Sequence, residues 1–217
     1  NSFNTITPKF IKVKKIFNQN NEKRKAINIL SPSAGVGNMG STYFDLCNFL
    51  LEEKCESVFG IIDKTNTINP RGKKFKDPGC RGFLNYKKDK RVFFDMSEDI
   101  SLPYKFIIRS RNIEFHIDEV NNNFFYYYRP KKFRHYPNYY YLFKPEIKKM
   151  RLIHNFSPAL MTRYTINKIF ASKFKSNIDE SINVMNMIFG IKASFNKNKI
   201  IKLPLKGLDK SLKYNFA

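Results

Sequence analysis

Between Ala26 and Asp63 a short apolar run, a glycine turn, an amphipathic stretch and a second apolar run ending in an acid follow one another, and no other segment restricts the fold as tightly. Ala26–Leu30 is short, apolar and partly β-branched, which is the pattern of a buried strand. Gly35, Gly37 and Gly40 then form a G-x-G-x-x-G just where a strand would turn into a helix. From Ser41 to Lys54, Phe44, Cys47, Leu50 and Leu51 recur at helical spacing, and Val58–Ile62 reads as a second buried strand. Glycines at such a turn let a ligand approach the backbone, and the helix start offers unpaired N–H groups. Asp63 closes the second strand at the place where a ribose hydroxyl is gripped in dinucleotide-binding folds.

The rest of the chain is read around that unit. Arg91–Phe94, Lys105–Ile108 and Ile113–Ile117 are expected strands, and residues 66–90, with Pro70, Gly72, Pro78, Gly79 and Gly82, a basic loop. Ser157-Pro158 opens a helix running to about Phe174, and a second helix carries Ile178, Ile182, Met185, Ile188 and Phe189 on one face, with Gly190 as its stop. The expected fold class is α/β, with a Rossmann-like N-terminal half, a C-terminal helical hairpin and basic extended arms. Its divisions are an arm over 1–25, an α/β core with basic loops over 26–150, a helical hairpin over 151–190 and a second arm over 191–217.

The word Ser31-Pro32-Ser33-Ala34-Gly35-Val36-Gly37-Asn38 resembles the first motif of class I S-adenosylmethionine-dependent methyltransferases, above all those that modify adenine. The resemblance implies that Gly35, Gly37 and Gly40 border S-adenosylmethionine, that Asp63 binds its ribose and that Asp95, in Val-Phe-Phe-Asp, stands near its adenine. Ser31 stands where that family has a carboxylate, and its catalytic Pro-Pro-Tyr type word has only Ser101-Leu102-Pro103-Tyr104 for a match. No catalytic residue is therefore assigned. A P-loop fails because Ser41 stands where the phosphate-binding lysine is required.

Charge points elsewhere. The 217 residues hold 40 Lys+Arg against 18 Asp+Glu, a formal net charge of +22, and such an excess asks for a polyanion. The phosphate-contacting candidates are Lys12, Lys14, Lys15, Lys23, Arg24 and Lys25; Arg71, Lys73, Lys74, Arg81, Lys87 and Lys88; Arg129, Lys131, Lys132 and Arg134; and Lys148, Lys149 and Arg151. Tyr136, in an aromatic stretch interleaved with those cations, is a candidate for stacking on a base. The abundance of Lys, Asn, Ile, Phe and Tyr also fits an A+T-rich coding genome. The leading expectation is thus an RNA-binding, non-enzymatic component of a large ribonucleoprotein. A mitochondrial ribosomal protein that contacts rRNA and neighbouring proteins, without a cofactor, is the specific form it takes. The alternatives are an S-adenosylmethionine-dependent adenine N-methyltransferase, or its inactive relative, and an accessory subunit of a mitochondrial membrane complex.

The start at Asn1 suits a processed organellar protein, so the mitochondrial matrix is the expected location. No run of 18 apolar residues is present, so no transmembrane segment is expected. His116, His135 and His154 are scattered and Cys47, Cys55 and Cys80 lack ligand spacing, so no metal is expected and the thiols are read as packing groups in a reducing compartment.

Overall fold

The computed structural model describes residues 7–23, 25–32, 35–64, 72, 74–99, 104–121, 123–137, 146–151, 158–171 and 178–207. In chain order these form α1 (Pro8–Gln19), β1 (Ala26–Leu30), α2 (Met39–Leu51), β2 (Cys55–Ile62), β3 (Cys80–Tyr86), β4 (Lys90–Asp95), β5 (Lys105–Arg109), β6 (Ile113–Asp118), β7 (Asn123–Tyr128), β8 (Glu146–Arg151), α3 (Pro158–Phe170), α4 (Ile178–Lys197) and β9 (Ile201–Lys202). The fold is mixed α/β, and the expected strand, glycine turn, helix and strand stand where the sequence puts them.

All nine strands make one sheet, in the order β8-β7-β6-β5-β1-β4-β3-β2-β9. β1 is parallel to β4, whereas every other neighbouring pair is antiparallel. β1 and β2 run in the same direction but have β4 and β3 between them. The crossover through α2 therefore skips two places, which the β3–β4 hairpin fills. One face of the sheet buries Ile27, Ile29, Val58, Leu84, Val92, Phe94, Phe106, Ile108, Phe115 and Phe124, and onto it pack Phe10 and Phe17 of α1, Phe44 of α2 and Ile191 of α4.

Several expectations change for physical reasons. The N-terminal segment is helical over residues 8–19, because Phe10, Val13 and Phe17 recur on one side and are fully buried. In the segment beyond 191, α4 continues to Lys197 and β9 pairs with β2. Gly190 does not stop α4. A methyl group there would lie 2.8 Å from Val58 Cγ2, and one at Gly60 would lie 2.6 Å from Ile191 Cγ2. Each glycine receives a side chain of the facing element, Ile191 over Gly60 and Val58 over Gly190, so helix and sheet approach closely. The expected basic loop over 66–90 holds β3, in which Gly82 sits so close to the backbone of Phe59 that no side chain fits.

Candidate functional site

Because β1, β4 and β2 point the same way, their carboxyl ends share one edge of the sheet, and antiparallel β3 adds its amino end there. This edge gathers Gly35, Gly37, Gly40, Asp63 and Asp95, which lie far apart in sequence. Ser31 N–H donates to the Asp95 carbonyl (2.9 Å), and Met96 N–H to that of Cys80 (2.8 Å).

A chain of polar contacts runs along the edge. Arg81 Nη1 donates to Asp63 Oδ1 (3.0 Å) and Ser97 Oγ (3.2 Å), and the Ser97 hydroxyl donates to Asp95 Oδ1 (2.6 Å). Asp63 Oδ2 accepts from Glu98 N–H (2.9 Å), and Glu98 Oε1 from Gly79 N–H (3.3 Å). Beside it the Tyr43 and Ser31 hydroxyls lie 3.4 Å apart, and burial pushes the Tyr43 phenol well above its ordinary range. Cys80 is fully buried, and its thiol is pushed up by burial and by Asp63, Asp77 and Asp95, so it stays protonated.

Asp77 was not among the sequence candidates, yet it dominates the glycine turn. Its Oδ1 accepts from Gly37 N–H (2.6 Å) and its Oδ2 from Asn38 N–H (2.9 Å). These are the groups an anion seeks at the start of a helix. A side chain at Gly35 would fall on the same carboxylate, while one at Gly40 would meet only ordinary contacts, the nearest at 3.5 Å. The segment continues as a strap: Pro78 C=O accepts from Val36 N–H (3.0 Å) and Gly79 C=O from Asp63 N–H (3.0 Å). Asp77–Gly79 thus fills the space between the turn and Asp63, where a nucleotide would need to run. The sequence signal that could have found it is Asp77-Pro78-Gly79 itself, an acid beside a turn pair within a lysine-rich stretch.

A dinucleotide does not fit this turn. The two amides for its phosphates are taken, both Asp63 oxygens are engaged, and β2 lies three strands from β1, roughly 14 Å at ordinary strand spacing. In a doubly wound dinucleotide sheet the corresponding strands are neighbours.

The candidate cations do not form one surface. Lys25 and Arg129 are buried. Lys25 Nζ donates to the Leu50 carbonyl (3.1 Å) and Arg129 Nη2 to that of Tyr136 (2.8 Å). Lys14 pairs with Glu52 (2.9 Å) and sits over the Phe49 ring, and Arg134 donates to Asn20 Oδ1 (2.9 Å). Lys12 and Lys15 are exposed on α1, as are Lys23, Lys74, Arg81, Lys131, Lys132 and Tyr136 elsewhere. Lys87 and Lys88 occupy the β3–β4 turn, at the opposite end of the strands from the edge just described. Register sets Lys148, Lys149 and Arg151 of β8 opposite Tyr126, Phe125 and Asn123. Arg24, Arg71 and Lys73 lie outside the described residues. Among the described residues no group of three or more metal-ligating side chains is found, and no helix is long and apolar enough to cross a membrane.

In fold, the chain is similar to NAD-binding oxidoreductases. An NAD-binding oxidoreductase from Klebsiella pneumoniae superposes with a TM-score of 0.72 over 94% of this chain and 66% of its own, at 10% identity. Levoglucosan dehydrogenase in complex with NADH gives 0.70 over 94% and 65%, at 9% identity. The aldose-aldose oxidoreductase of Caulobacter crescentus, complexed with glycerol, gives 0.69 over 93% and 62%, at 7% identity. The chain therefore spans just under two thirds of these structures. No family model and no curated protein matches the sequence.

These likenesses correct the sequence reading. The methyltransferase resemblance of residues 26–63 ends with that local unit, since the fold neighbours named here are oxidoreductases. The ribosomal RNA-binding component and the accessory membrane-complex subunit find no support in them either. The cofactor those neighbours are described with is NAD or NADH, which overturns the expectation of no cofactor with S-adenosylmethionine as the alternative.

Proposed function

We propose that this chain is the mixed-sheet body of an NAD-linked oxidoreductase and that it lends the carboxyl edge of β1, β4 and β2 to binding a hydroxyl-bearing substrate. The observation that carries this reading is the superposition of 94% of the chain on NAD-binding oxidoreductases. The carbohydrate class is supported by two neighbours, a levoglucosan dehydrogenase and an aldose-aldose oxidoreductase, and by Arg81, an exposed hydroxyl-pairing group of the edge, backed by the buried hydroxyls of Ser31, Tyr43 and Ser97. A shared fold leaves the reaction to the site.

The dinucleotide supplies or accepts a hydride when bound. On this reading it is held by a unit equivalent to the third of the neighbours' length that this chain does not span, because Asp77 and the strap through Gly79 fill the glycine turn. The residues described here would orient the substrate and exclude water.

The test uses the protein at its natural length. NADH binding is followed by fluorescence, and NAD reduction by absorbance with a panel of sugars and polyols. Binding is expected, with the same affinity in Asp77→Ala. A clear gain of affinity in Asp77→Ala would place the dinucleotide at the glycine turn, and no binding of NADH or NADPH would overturn the reading.

A further inference from the structure

The end of the sheet away from the carboxyl edge is strongly basic. There the turns 20–25, 52–54, 87–89, 110–112 and 129–137 carry ten Lys and Arg against four Asp and Glu among their described residues. At the carboxyl edge the turns 31–38, 63–64, 74–79, 96–99 and 119–121 carry three against five among theirs. Three acids of the basic end are already engaged. Glu52 pairs with Lys14 (2.9 Å) and Glu53 with Lys88 (2.6 Å), and Glu22 accepts from Asn112 Nδ2 (2.9 Å). Lys23, Lys54, Lys87, Arg111, Lys131 and Lys132 are exposed and lie outside these pairs. They are spread from β2 to β7, roughly 30 Å at ordinary strand spacing.

An apolar stripe projects at the same end. Helix α4 passes β2 with Gly190 beside Val58 and Leu203, and one turn further back the Asn186 Oδ1 accepts from Leu205 N–H (3.1 Å). Leu203 N–H donates to the Glu56 carbonyl (2.8 Å), so this part of the helix has already reached the amino end of β2. The residues before it run on past the strand, and Ile178–Ile182 are all exposed. Ile178, Ile182 and Met185, at 75%, 52% and 41% exposure, recur at i, i+4 and i+7 along one side. Asp179 and Glu180 lie about 100° and 200° round the helix from Ile178 and leave that side apolar.

We propose that this end of the molecule docks on a membrane surface rich in anionic phospholipid. The exposed Lys and Arg meet the headgroup phosphates, and the start of α4 sets Ile178, Ile182 and Met185 into the boundary between headgroups and acyl chains. Such binding draws together on buried apolar area and on attraction to anionic lipid. A polynucleotide would leave the aliphatic stripe bare. A protein partner needs its apolar core inside a polar rim, whereas the stripe stands at the β2 margin of the cations. The net charge of +22 draws the chain to the surface, and the difference between its two ends turns the basic one towards it. Docking is independent of the proposed activity and leaves the carboxyl edge facing water.

The 217-residue chain is sedimented with vesicles of phosphatidylcholine alone, or with about 30% phosphatidylserine, at roughly 0.1 M salt. Binding to the anionic vesicles is expected, and little to the neutral ones. Lys54→Gln/Lys87→Gln is expected to weaken it roughly twentyfold, about fivefold for each cation. Ile178→Gln/Ile182→Gln is expected to weaken it about tenfold or more. Lys74→Gln/Lys76→Gln, which removes the same charge from the carboxyl edge, should change it by less than about twofold. Circular dichroism confirms that each variant is folded, and if one of the first two pairs does not fold, the other decides. No binding, equal binding to both kinds of vesicle, equal losses from the two lysine pairs, or full affinity in Ile178→Gln/Ile182→Gln would overturn the proposal. So would a change of oligomeric state in that variant without vesicles, or transfer of the chain from vesicles to RNA at equal phosphate concentration.

Discussion

Asp77 and Gly35 share one space at the start of α2, and the energy of that arrangement can be isolated. Asp77→Ala removes both acceptors from the Gly37 and Asn38 amides. Loss of a helix cap costs ~0.5–2 kcal/mol, and hydrogen bonds to a charged group sit towards the upper part of that range. With Asp77 only partly exposed, about 1–2 kcal/mol is expected. Gly35→Ala should cost nearly the same, because its methyl group takes the place of the carboxylate and expels it. Gly35 does not have positive φ, so alanine itself is tolerated there. In the Asp77→Ala background the clash is gone, and Gly35→Ala should be neutral or stabilise by ~0.4–1 kcal/mol through the unfolded state. The double-mutant cycle thus predicts a coupling of about 1–2 kcal/mol, read from urea unfolding at constant m. An equal cost of Gly35→Ala in both backgrounds would refute the assignment of Asp77 as the occupant of the turn.

Other outcomes follow from the same packing. Gly60→Ala sets a methyl group 2.6 Å from Ile191 Cγ2, so it should lower stability by ~1–3 kcal/mol in chemical denaturation, with Gly190→Ala similar. The Lys25 ammonium, 4% exposed, is held below its ordinary value of 10.5 by burial, despite the help of Glu52. Just below pH 10.5 the unfolded chain therefore binds more protons at Lys25 than the folded one. The stability of the parent relative to Lys25→Met should rise as pH climbs towards that value, and a flat difference in urea unfolding would count against it. Burial pushes the Cys55 thiol up to about 12, and Cys47 and Cys80 rise likewise. A disulfide reagent at pH 8 should label none of the three until the protein unfolds.

What the sequence disclosed was the local part of this fold. β1, the glycine turn, α2 and β2 each depend on neighbours a few residues away, and their patterns stand in the chain. β3 was hidden because Pro78, Gly79 and Gly82 read as a loop, whereas Gly82 is there to let the strand pass the backbone of Phe59. The strand order was beyond local reading, since nothing in residues 26–63 tells that β4 and β3 fall between β1 and β2. The site divides in the same way. The glycines and Asp63 do meet at one edge, but Asp77 comes to them from a stretch dominated by lysine. Lys25 looks like a surface cation in the sequence because its acceptors on α2 are a tertiary matter. Arg129 is concealed in the same way, its partners being backbone carbonyls at Tyr136 and Pro137.

Helix α2 is gripped at its amino end by Asp77 and at its carboxyl end by Lys25 and Lys90, which donate to the Leu50 and Leu51 carbonyls. Two of these three lie downstream of the helix they hold. During vectorial synthesis Lys25 is in place before α2, but the second clamp on its carboxyl end arrives some forty residues after the helix is complete, and a nascent chain halted ahead of Lys90 lacks it. The β3–β4 hairpin thus acts as a latch, and a pause in translation at that point would leave the central crossover waiting for it.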